Sequence, residues 1–221
     1  YYLDLSHDSQ DAEERKYAEG MFQISNPMCK AYATDQAWML IRDAIQTFGG
    51  YGVCTEYEVE SLARDVKVSS IWEGTNMEKG QVFKNWIGDI SNFIEANKGA
   101  AGFEKEFAVM SEALADFLGI MQQLQKYGQE GKNQMLPLFA TRMLDSASQL
   151  YCGRLILDQA LLADSKLQEL GEDHFDAKFY KGKVASARFY VKNVVPQIGF
   201  VKKVFEIGDT TAIDIEEECF G

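Results

Sequence analysis

Apolar residues recur every three or four positions along most of this chain, which is the spacing of an amphipathic α-helix. The first clear stripe predicts a helix that begins at Ser25-Asn26-Pro27 and runs to about Thr47, because Asn26 can cap it and Pro27 fits a first helical turn. The apolar members of the stripe are Ala31, Tyr32, Trp38, Ile41, Ile45 and Phe48. Residues 7–16 are polar and predict a loop that leads into a short helix over 13–24.

Further helical patterns follow, separated by small or polar residues. They cover residues 56–68, 77–96, 103–127, 134–170 and 175–195. Residues 69–76 predict a loop, and Asp173 is a candidate cap for the last of these helices. The glycine-rich stretch 97–102 is the best candidate for a flexible linker.

The chain shows no strand hairpin and no internal repeat, so the predicted fold class is all-α. Residues 1–98 are expected to form the end of one helical bundle and residues 99–221 a second helical bundle. The chain begins with Tyr1, and Tyr1 to Leu5 reads like a helix already under way. We therefore expect a fragment of a longer protein.

Composition narrows the classes of function. The formal net charge is −12 and the sequence pI is about 4.7, and no basic face is visible, which argues against a nucleic-acid partner. No apolar run approaches the roughly 20 residues of a membrane span. The four cysteines have neither zinc spacing nor a C-x-x-C pair, as is typical of reduced thiols in a cytoplasmic protein: Cys29, Cys54, Cys152 and Cys219.

Three glycines follow the helix that is predicted to end near Thr47: Gly49, Gly50 and Gly52. The simpler interpretation is a helix cap with a tight turn. The alternative is a ligand that approaches bare backbone, which glycine permits because it has no Cβ. The dinucleotide-binding G-x-G-x-x-G pattern does not fit, since no strand precedes the turn.

Two charged positions after this turn have competing interpretations. Arg64-Asp65 is expected to be structural and to tie neighbouring loops together. Glu73 lies between Trp72 and Gly74 in the predicted loop, where a surface glutamate is the ordinary outcome. A carboxylate among apolar groups can instead have its pKa raised toward neutrality by desolvation and serve as a general base.

Aromatic residues are dense in the last long helix: Phe175, Phe179, Tyr180, Phe189 and Tyr190. Their helical spacing predicts core or interface positions rather than a nucleic-acid platform. A strongly acidic stretch follows: Glu206, Asp209, Asp214, Glu216, Glu217 and Glu218.

Residues 28–76 resemble the acyl-CoA dehydrogenase family, whose C-terminal helical domain carries four short motifs in a fixed order. These are Q-x-x-G-G-x-G, E-Y-x-V-E, R-D-x-K-(I/V) and I-Y-E-G-T. The matching residues here are Gln46, Gly49, Gly50 and Gly52; Glu56, Tyr57, Val59 and Glu60; Arg64, Asp65, Lys67 and Val68; and Ile71, Trp72, Glu73, Gly74 and Thr75. The region after residue 99 resembles longer members with an extra C-terminal helical domain, such as the methylmercaptopropionyl-CoA dehydrogenases.

The resemblance implies an FAD-dependent enzyme that converts an acyl-CoA thioester into a trans-2-enoyl-CoA. Glu73 matches the catalytic base, and Gly74 matches a position near the substrate thioester. The residues that match cofactor-binding positions are Gln46, Thr47, Phe48, Gly49, Gly50, Thr75, Asn76 and Met77. The turn from Gln46 to Gly50 would contact the FAD of a neighbouring subunit. An electron-transfer flavoprotein and a homo-dimer or tetramer are the implied partners.

Two departures from the family pattern stand out. Trp72 replaces the tyrosine before the base, and Met77-Glu78-Lys79 replaces an apolar residue followed by glutamine. The family's N-terminal and middle domains have no counterpart in the chain, so it is expected to be inactive alone. The alternative is a catalytically weak homologue that acts as a binding or oligomerisation module. A DNA-binding role, as in an alkylation-response member of the family, is disfavoured by Glu73 and by the acidity of the chain.

Overall fold

The computed structural model describes residues 1–71 and 81–220, which form helices and turns without a strand. This confirms the all-α prediction. The α-helices are α1 (Tyr2–Asp8), α2 (Ala12–Pro27), α3 (Ala33–Phe48), α4 (Glu58–Ile71), α5 (Gln81–Asn97), α6 (Glu104–Gln129), α7 (Met135–Leu170), α8 (Ala177–Asn193), α9 (Gln197–Ile207) and α10 (Thr211–Asp214). They divide into two compact units, Tyr1–Gly88 and Asp89–Gly221. The predicted boundary between residues 98 and 99 stays a prediction.

The helix start predicted at Ser25-Asn26-Pro27 is wrong. The carboxylate of Asp11 caps α2 by accepting hydrogen bonds from the backbone N–H groups of Glu13 and Glu14, at 2.9 and 3.5 Å. Pro27 then ends α2 without breaking the helical path, because a π-helical turn, Met28–Tyr32, leads directly into α3. The π turn directly follows Pro27, which has no backbone N–H to donate.

In the first unit, α1 packs on α2, and α3 packs on α4. The buried apolar side chains of α2, the π turn and α4 include Ala18, Met21, Ile24, Met28, Tyr32 and Val59. Helix α3 is different, because none of its side chains is buried. Three of its large apolar side chains, Trp38, Met39 and Leu40, are 37%, 43% and 71% exposed. The apolar side of this amphipathic helix is therefore largely uncovered.

The second unit is built around the 36-residue helix α7, which packs against α6, α8 and α9. Its core is almost wholly apolar and includes Phe107, Met110, Phe117, Ile120, Leu150, Leu157, Val191, Val195 and Phe205. Gly153 of α7 lies against α6 and the turn between α8 and α9, since a Cβ there would lie 2.8 Å from Met110 Sδ and 3.0 Å from Val195 Cγ2. The absence of a side chain at Gly153 lets these elements approach closely.

A buried carboxylate joins the start of α6 to α8. Glu106 is 2% exposed, and its Oε1 lies 2.7 Å from Lys192 Nζ and 3.6 Å from Arg188 Nε. Arg188 also donates a 3.0 Å hydrogen bond to the carbonyl of Gly102, and its guanidinium lies 5.2 Å from the centre of the Phe103 ring. The connection predicted to be a flexible linker is therefore a turn that α8 holds in place.

The far end of the same unit is fixed by the Tyr127 hydroxyl, which donates a buried hydrogen bond to the carbonyl of Phe205. Gly208 ends α9 in the left-handed conformation, with φ at +63°, directly beside that hydroxyl. Nearby, Lys202 on α9 donates a 2.9 Å hydrogen bond to Asp116 on α6. This hydrogen bond raises the pKa of the Lys202 ammonium.

The cap predicted for α8 is wrong, and three of the aromatic residues predicted as core or interface are exposed. The residue that precedes the helix is Asp176 rather than Asp173, and its side chain makes no capping hydrogen bond. Phe175, Phe179 and Phe189 are not core residues, since they are 95%, 61% and 66% exposed. Their alternative interpretation as interface residues stays open.

Across residues 1–71 and 81–220, no helix combines the length and the apolar character that a membrane crossing requires.

We predict that Gly208→Ala destabilises the chain by about 2 kcal/mol, because a Cβ in a left-handed conformation would also lie 2.3 Å from the Tyr127 hydroxyl. Chemical denaturation followed by circular dichroism measures this change. The matched control is Gly128→Ala within α6, where a Cβ meets nothing within 4 Å. Equal unfolding midpoints for the two variants would show that the Tyr127–Gly208 contact is not formed.

Candidate functional site

The predicted glycine turn is a defined structure at the end of α3. The backbone N–H of Gly49 donates to the carbonyl of Gln46, and the backbone of Gly49 has φ at +59° and ψ at −137°. A single 3₁₀-helical segment, Gly49–Val53, follows at once. Only glycine adopts this conformation at position 49 without strain, so the cap interpretation of Gly49 accounts for its lack of a side chain.

The other two glycines face different surroundings. A Cβ on Gly52 would lie 2.6 Å from the carbonyl oxygen of Ile45, so Gly52 is required by close packing of the turn on α3. A Cβ on Gly50 would meet nothing within 4 Å. The backbone at Gly50 is therefore open to an approaching group, whereas the backbone at Gly52 is not.

Every residue predicted to bind the cofactor in this turn is exposed: Gln46, Thr47, Phe48, Gly49 and Gly50. The Thr47 hydroxyl donates a 2.8 Å hydrogen bond to the carbonyl of Asp43, one turn earlier on α3. The structure thus brings these five positions together on one uncovered surface.

Two tyrosines that were not predicted to belong to the site, Tyr51 and Tyr57, lie beside the turn. The ring of Tyr57 lies 5.8 Å from the Phe48 ring and 5.4 Å from the Tyr51 ring. Tyr51 is 64% exposed and Phe48 is 48% exposed. The signal was present in the sequence, since aromatic residues lie on both sides of the glycines. Such rings offer an apolar platform with a polar edge.

The expectation that Arg64-Asp65 ties neighbouring loops together stays a prediction, and the described contact of this pair is local. Arg64 donates a 3.1 Å hydrogen bond to Glu60 on the same helix, and both Arg64 and Asp65 are exposed. This contact braces α4 locally, in the way that residues four apart on a helix do. On the same helix, the Lys67 ammonium lies 5.5 Å from the centre of the Trp38 ring of α3.

The remaining predicted site residues, Glu73, Gly74, Thr75, Asn76 and Met77, lie outside the described residues. The predicted loop at 69–76 is wrong for residues 69–71, which belong to α4. In the described parts of the chain, before residue 72 and after residue 80, no group of His, Cys, Asp and Glu side chains could hold a metal ion.

Comparison with known families divides the chain into two parts. Residues 9–82 match the acyl-CoA dehydrogenase C-terminal domain, and residues 86–216 match the domain described as acetyl-CoA dehydrogenase C-terminal like. The second match alone covers more than half of the chain. The chain belongs to the acyl-CoA dehydrogenase family.

Individual relatives agree with this assignment. Two butyryl-CoA dehydrogenases of Syntrophomonas wolfei subsp. wolfei are each 48% identical to the chain, over 99% and 100% of its length. A broad-specificity linear acyl-CoA dehydrogenase of Mycobacterium tuberculosis is 28% identical over 94% of the chain. The chain spans 38%, 38% and 37% of the lengths of these three relatives.

The geometry of the turn gives a stability prediction. Gly52→Ala should destabilise the chain by about 1–3 kcal/mol, because the new methyl group would press on the Ile45 carbonyl. Gly50→Ala should leave stability unchanged or raise it by up to about 1 kcal/mol, since space is open and the unfolded chain loses freedom. Thermal unfolding of both variants tests this contrast, and an equal loss in the two would contradict the described turn.

Proposed function

We propose that the chain is the C-terminal part of an FAD-dependent acyl-CoA dehydrogenase, which converts an acyl-CoA thioester into a trans-2-enoyl-CoA. The observation that carries this proposal is the 48% identity to butyryl-CoA dehydrogenases over essentially the whole chain. The order of the glycine turn, the Arg64-Asp65 motif and Glu73 supports the same activity. A straight-chain acyl group is the substrate class that these relatives favour.

The surface of the turn fits an approaching flavin. The backbone of Gly50 is open, the backbone of Gly49 takes a conformation that glycine alone accommodates, and Phe48 and Tyr51 present exposed rings beside both. Gln46 to Gly50 would contact the FAD of a neighbouring subunit, and Thr75, Asn76 and Met77 would contact a flavin as well. When bound, FAD supplies the acceptor for the hydride that leaves the β-carbon of the substrate.

Glu73 is assigned the other half of the reaction. Its carboxylate would take the proton from the α-carbon, a weak carbon acid. The backbone N–H of the same residue would donate to the thioester carbonyl and so stabilise the negative charge that develops there. Gly74 would leave room for the thioester next to the base. The carboxylate and the backbone N–H of Glu73 would both have to be positioned accurately against the substrate for the proton transfer to be fast.

The proposed activity implies an electron acceptor, an oligomeric assembly and a cellular location. The chain alone is expected to be inactive, because most flavin and CoA contacts of the family lie in domains that it does not contain. An electron-transfer flavoprotein is the proposed electron acceptor, a homo-dimer or tetramer the proposed assembly, and the cytoplasm the proposed location. The uncovered face of α3 fits this view, since Trp38, Met39 and Leu40 would gain cover in a larger assembly.

We predict that Glu73→Gln in the complete enzyme retains FAD but slows flavin reduction by acyl-CoA by about 10²–10⁴-fold, the usual contribution of a general base. Stopped-flow absorbance of the oxidised flavin measures the rate. The control is Glu58→Gln, an exposed glutamate in the first turn of α4, which should reduce flavin at the normal rate. If the flavin of the Glu73→Gln variant is reduced at the normal rate, Glu73 is not the catalytic base.

We also predict that Gly50→Val lowers FAD retention at least tenfold in an otherwise folded enzyme, because a branched side chain would occupy the open face of the turn. Gly128→Val, at an open helical position in α6, serves as the control. The flavin-to-protein absorbance ratio after gel filtration gives the retention. If the Gly50→Val variant retains FAD fully, the turn serves only as a helix cap.

A further inference from the structure

Helix α8 has two contrasting faces. Its inner face is buried through Val184, Ala187 and Val191. Its outer face carries Phe179 and Phe189, each more than 60% exposed, with the small residues Gly182 and Ser186 exposed between them. These four positions follow the three-four spacing of a helical stripe, so they form one continuous strip along the helix. We call this strip and the lysines beside it the α8 outer face.

The same helix is the most basic element of an acidic chain. It contains five cations and no acidic residue, within a protein of net charge −12: Lys178, Lys181, Lys183, Arg188 and Lys192. Ion pairing within the unit neutralises only part of this charge. Lys181 pairs with Glu172 at 3.1 Å, while Arg188 and Lys192 share the single carboxylate of Glu106.

Two of these lysines have no carboxylate partner among residues 1–71 and 81–220. Lys183 donates a 3.0 Å hydrogen bond to the neutral amide of Gln159, and Lys178 is exposed with no ion-pair partner among residues 1–71 and 81–220. An apolar strip bordered by uncompensated cations is complementary to a segment that carries both apolar and acidic side chains.

The chain contains such a segment after α9. Residues 209–218 contain five carboxylates and no cation: Asp209, Asp214, Glu216, Glu217 and Glu218. Ile213 and Ile215 lie among them and are 43% and 42% exposed, and every residue from Thr211 to Cys219 is exposed. We call residues 209–218 the acidic segment. Its charge is opposite to that of the α8 outer face, and each surface carries two large apolar side chains.

Within one copy the two surfaces lie at opposite ends of the unit. The acidic segment begins beside Tyr127, which contacts Gly208, whereas Arg188 of α8 contacts Gly102 and Phe103. Phe103 and Tyr127 flank almost the whole length of α6, which places them about 36 Å apart at about 1.5 Å per residue.

The direction of α8 increases this separation. Val195 and Met110 meet at Gly153, while Arg188 meets Phe103, so α8 runs parallel to α6. Phe179 therefore lies beyond the start of α6, about 13 Å further away. Ten residues span at most about 35 Å when fully extended, and α10 shortens the acidic segment. The segment cannot cover the α8 outer face of its own copy.

We propose that the α8 outer face binds the acidic segment of a second copy of this chain. Ile213 and Ile215 would pack over Gly182 and Ser186 between the two phenylalanines, and the glutamates would face Lys178 and Lys183. Each copy offers one face and one segment, so two copies related by a two-fold axis would make this contact twice. It does not involve flavin, so its failure would leave the proposed activity untouched.

Charge reversal provides the test, with self-association of the 221-residue chain measured by sedimentation velocity. Lys178→Glu with Lys183→Glu on the face, and Glu216→Lys with Glu217→Lys on the segment, should each raise the dissociation constant about tenfold or more at low salt. An equimolar mixture of the two double variants should associate like the unmodified chain, because each face then meets a segment of opposite charge. The matched control reverses Lys16 and Lys84, two exposed lysines that belong to neither the face nor the segment, and should change nothing.

A cross-link locates the contact directly. Gly182→Cys places a thiol where a Cβ meets nothing within 4 Å, and Cys219 is exposed next to the acidic segment. Mixed ¹⁵N-labelled and unlabelled chains should form a disulfide between position 182 of one copy and Cys219 of the other, as mapped by peptide mass spectrometry. The proposal is overturned by a chain that stays monomeric, by unchanged association in the charge variants, or by a cross-link confined to single copies. It is equally overturned if the face binds phosphatidylserine vesicles while the chains do not associate.

Discussion

An amphipathic helix is stable in water only when another element covers its apolar stripe. The second unit of the chain meets this requirement within itself, whereas helix α3 of the first unit does not. In the second unit, α7 gives α6, α8 and α9 a common partner, and Gly153 lets Met110 and Val195 meet against it. The result is an apolar core pinned at one end by Glu106 and at the other by Tyr127. In the first unit, α3 has no buried side chain at all. Its apolar stripe is uncovered, and the glycine turn follows directly at the end of this helix.

The glycine turn at the end of α3 needs no such cover to form. The turn is set by local forces, namely the conformation of Gly49 and the contact of Gly52 with the Ile45 carbonyl, and so it forms without a ligand. Its outer surface at Gly50, Phe48 and Tyr51 is left open. The proposed flavin contact would use this open surface, and the proposed chemistry would use Glu73. Membership of the acyl-CoA dehydrogenase family gives both features a common purpose.

Patterns of local sequence predicted the fold class and most helices, because a three-to-four spacing sustained over about 15 residues is produced by a helix and by little else. The errors have identifiable causes. Pro27 has the properties of a helix start, but Asp11 caps the helix earlier. The π turn after Pro27 lets the helix continue although Pro27 has no backbone N–H to donate. Phe179 and Phe189 match a core pattern, yet burial is decided by which face of α8 meets α7, and spacing alone does not state this. The glycine turn was predictable from its residues. The different roles of Gly50 and Gly52 were not predictable, because they depend on the tertiary approach of the Gly52 backbone to Ile45, whose carbonyl oxygen would lie 2.6 Å from an added Cβ.

The most direct test of the proposed activity is an anaerobic titration of the complete flavoprotein that contains this chain with a series of straight-chain acyl-CoA thioesters. The absorbance of the oxidised flavin near its long-wavelength maximum reports the transfer of a hydride from substrate, and product analysis identifies the enoyl-CoA. The account predicts bleaching by at least one short or medium straight-chain substrate, together with formation of the matching trans-2-enoyl-CoA. A protein that binds FAD stoichiometrically but is bleached by none of these thioesters would contradict it.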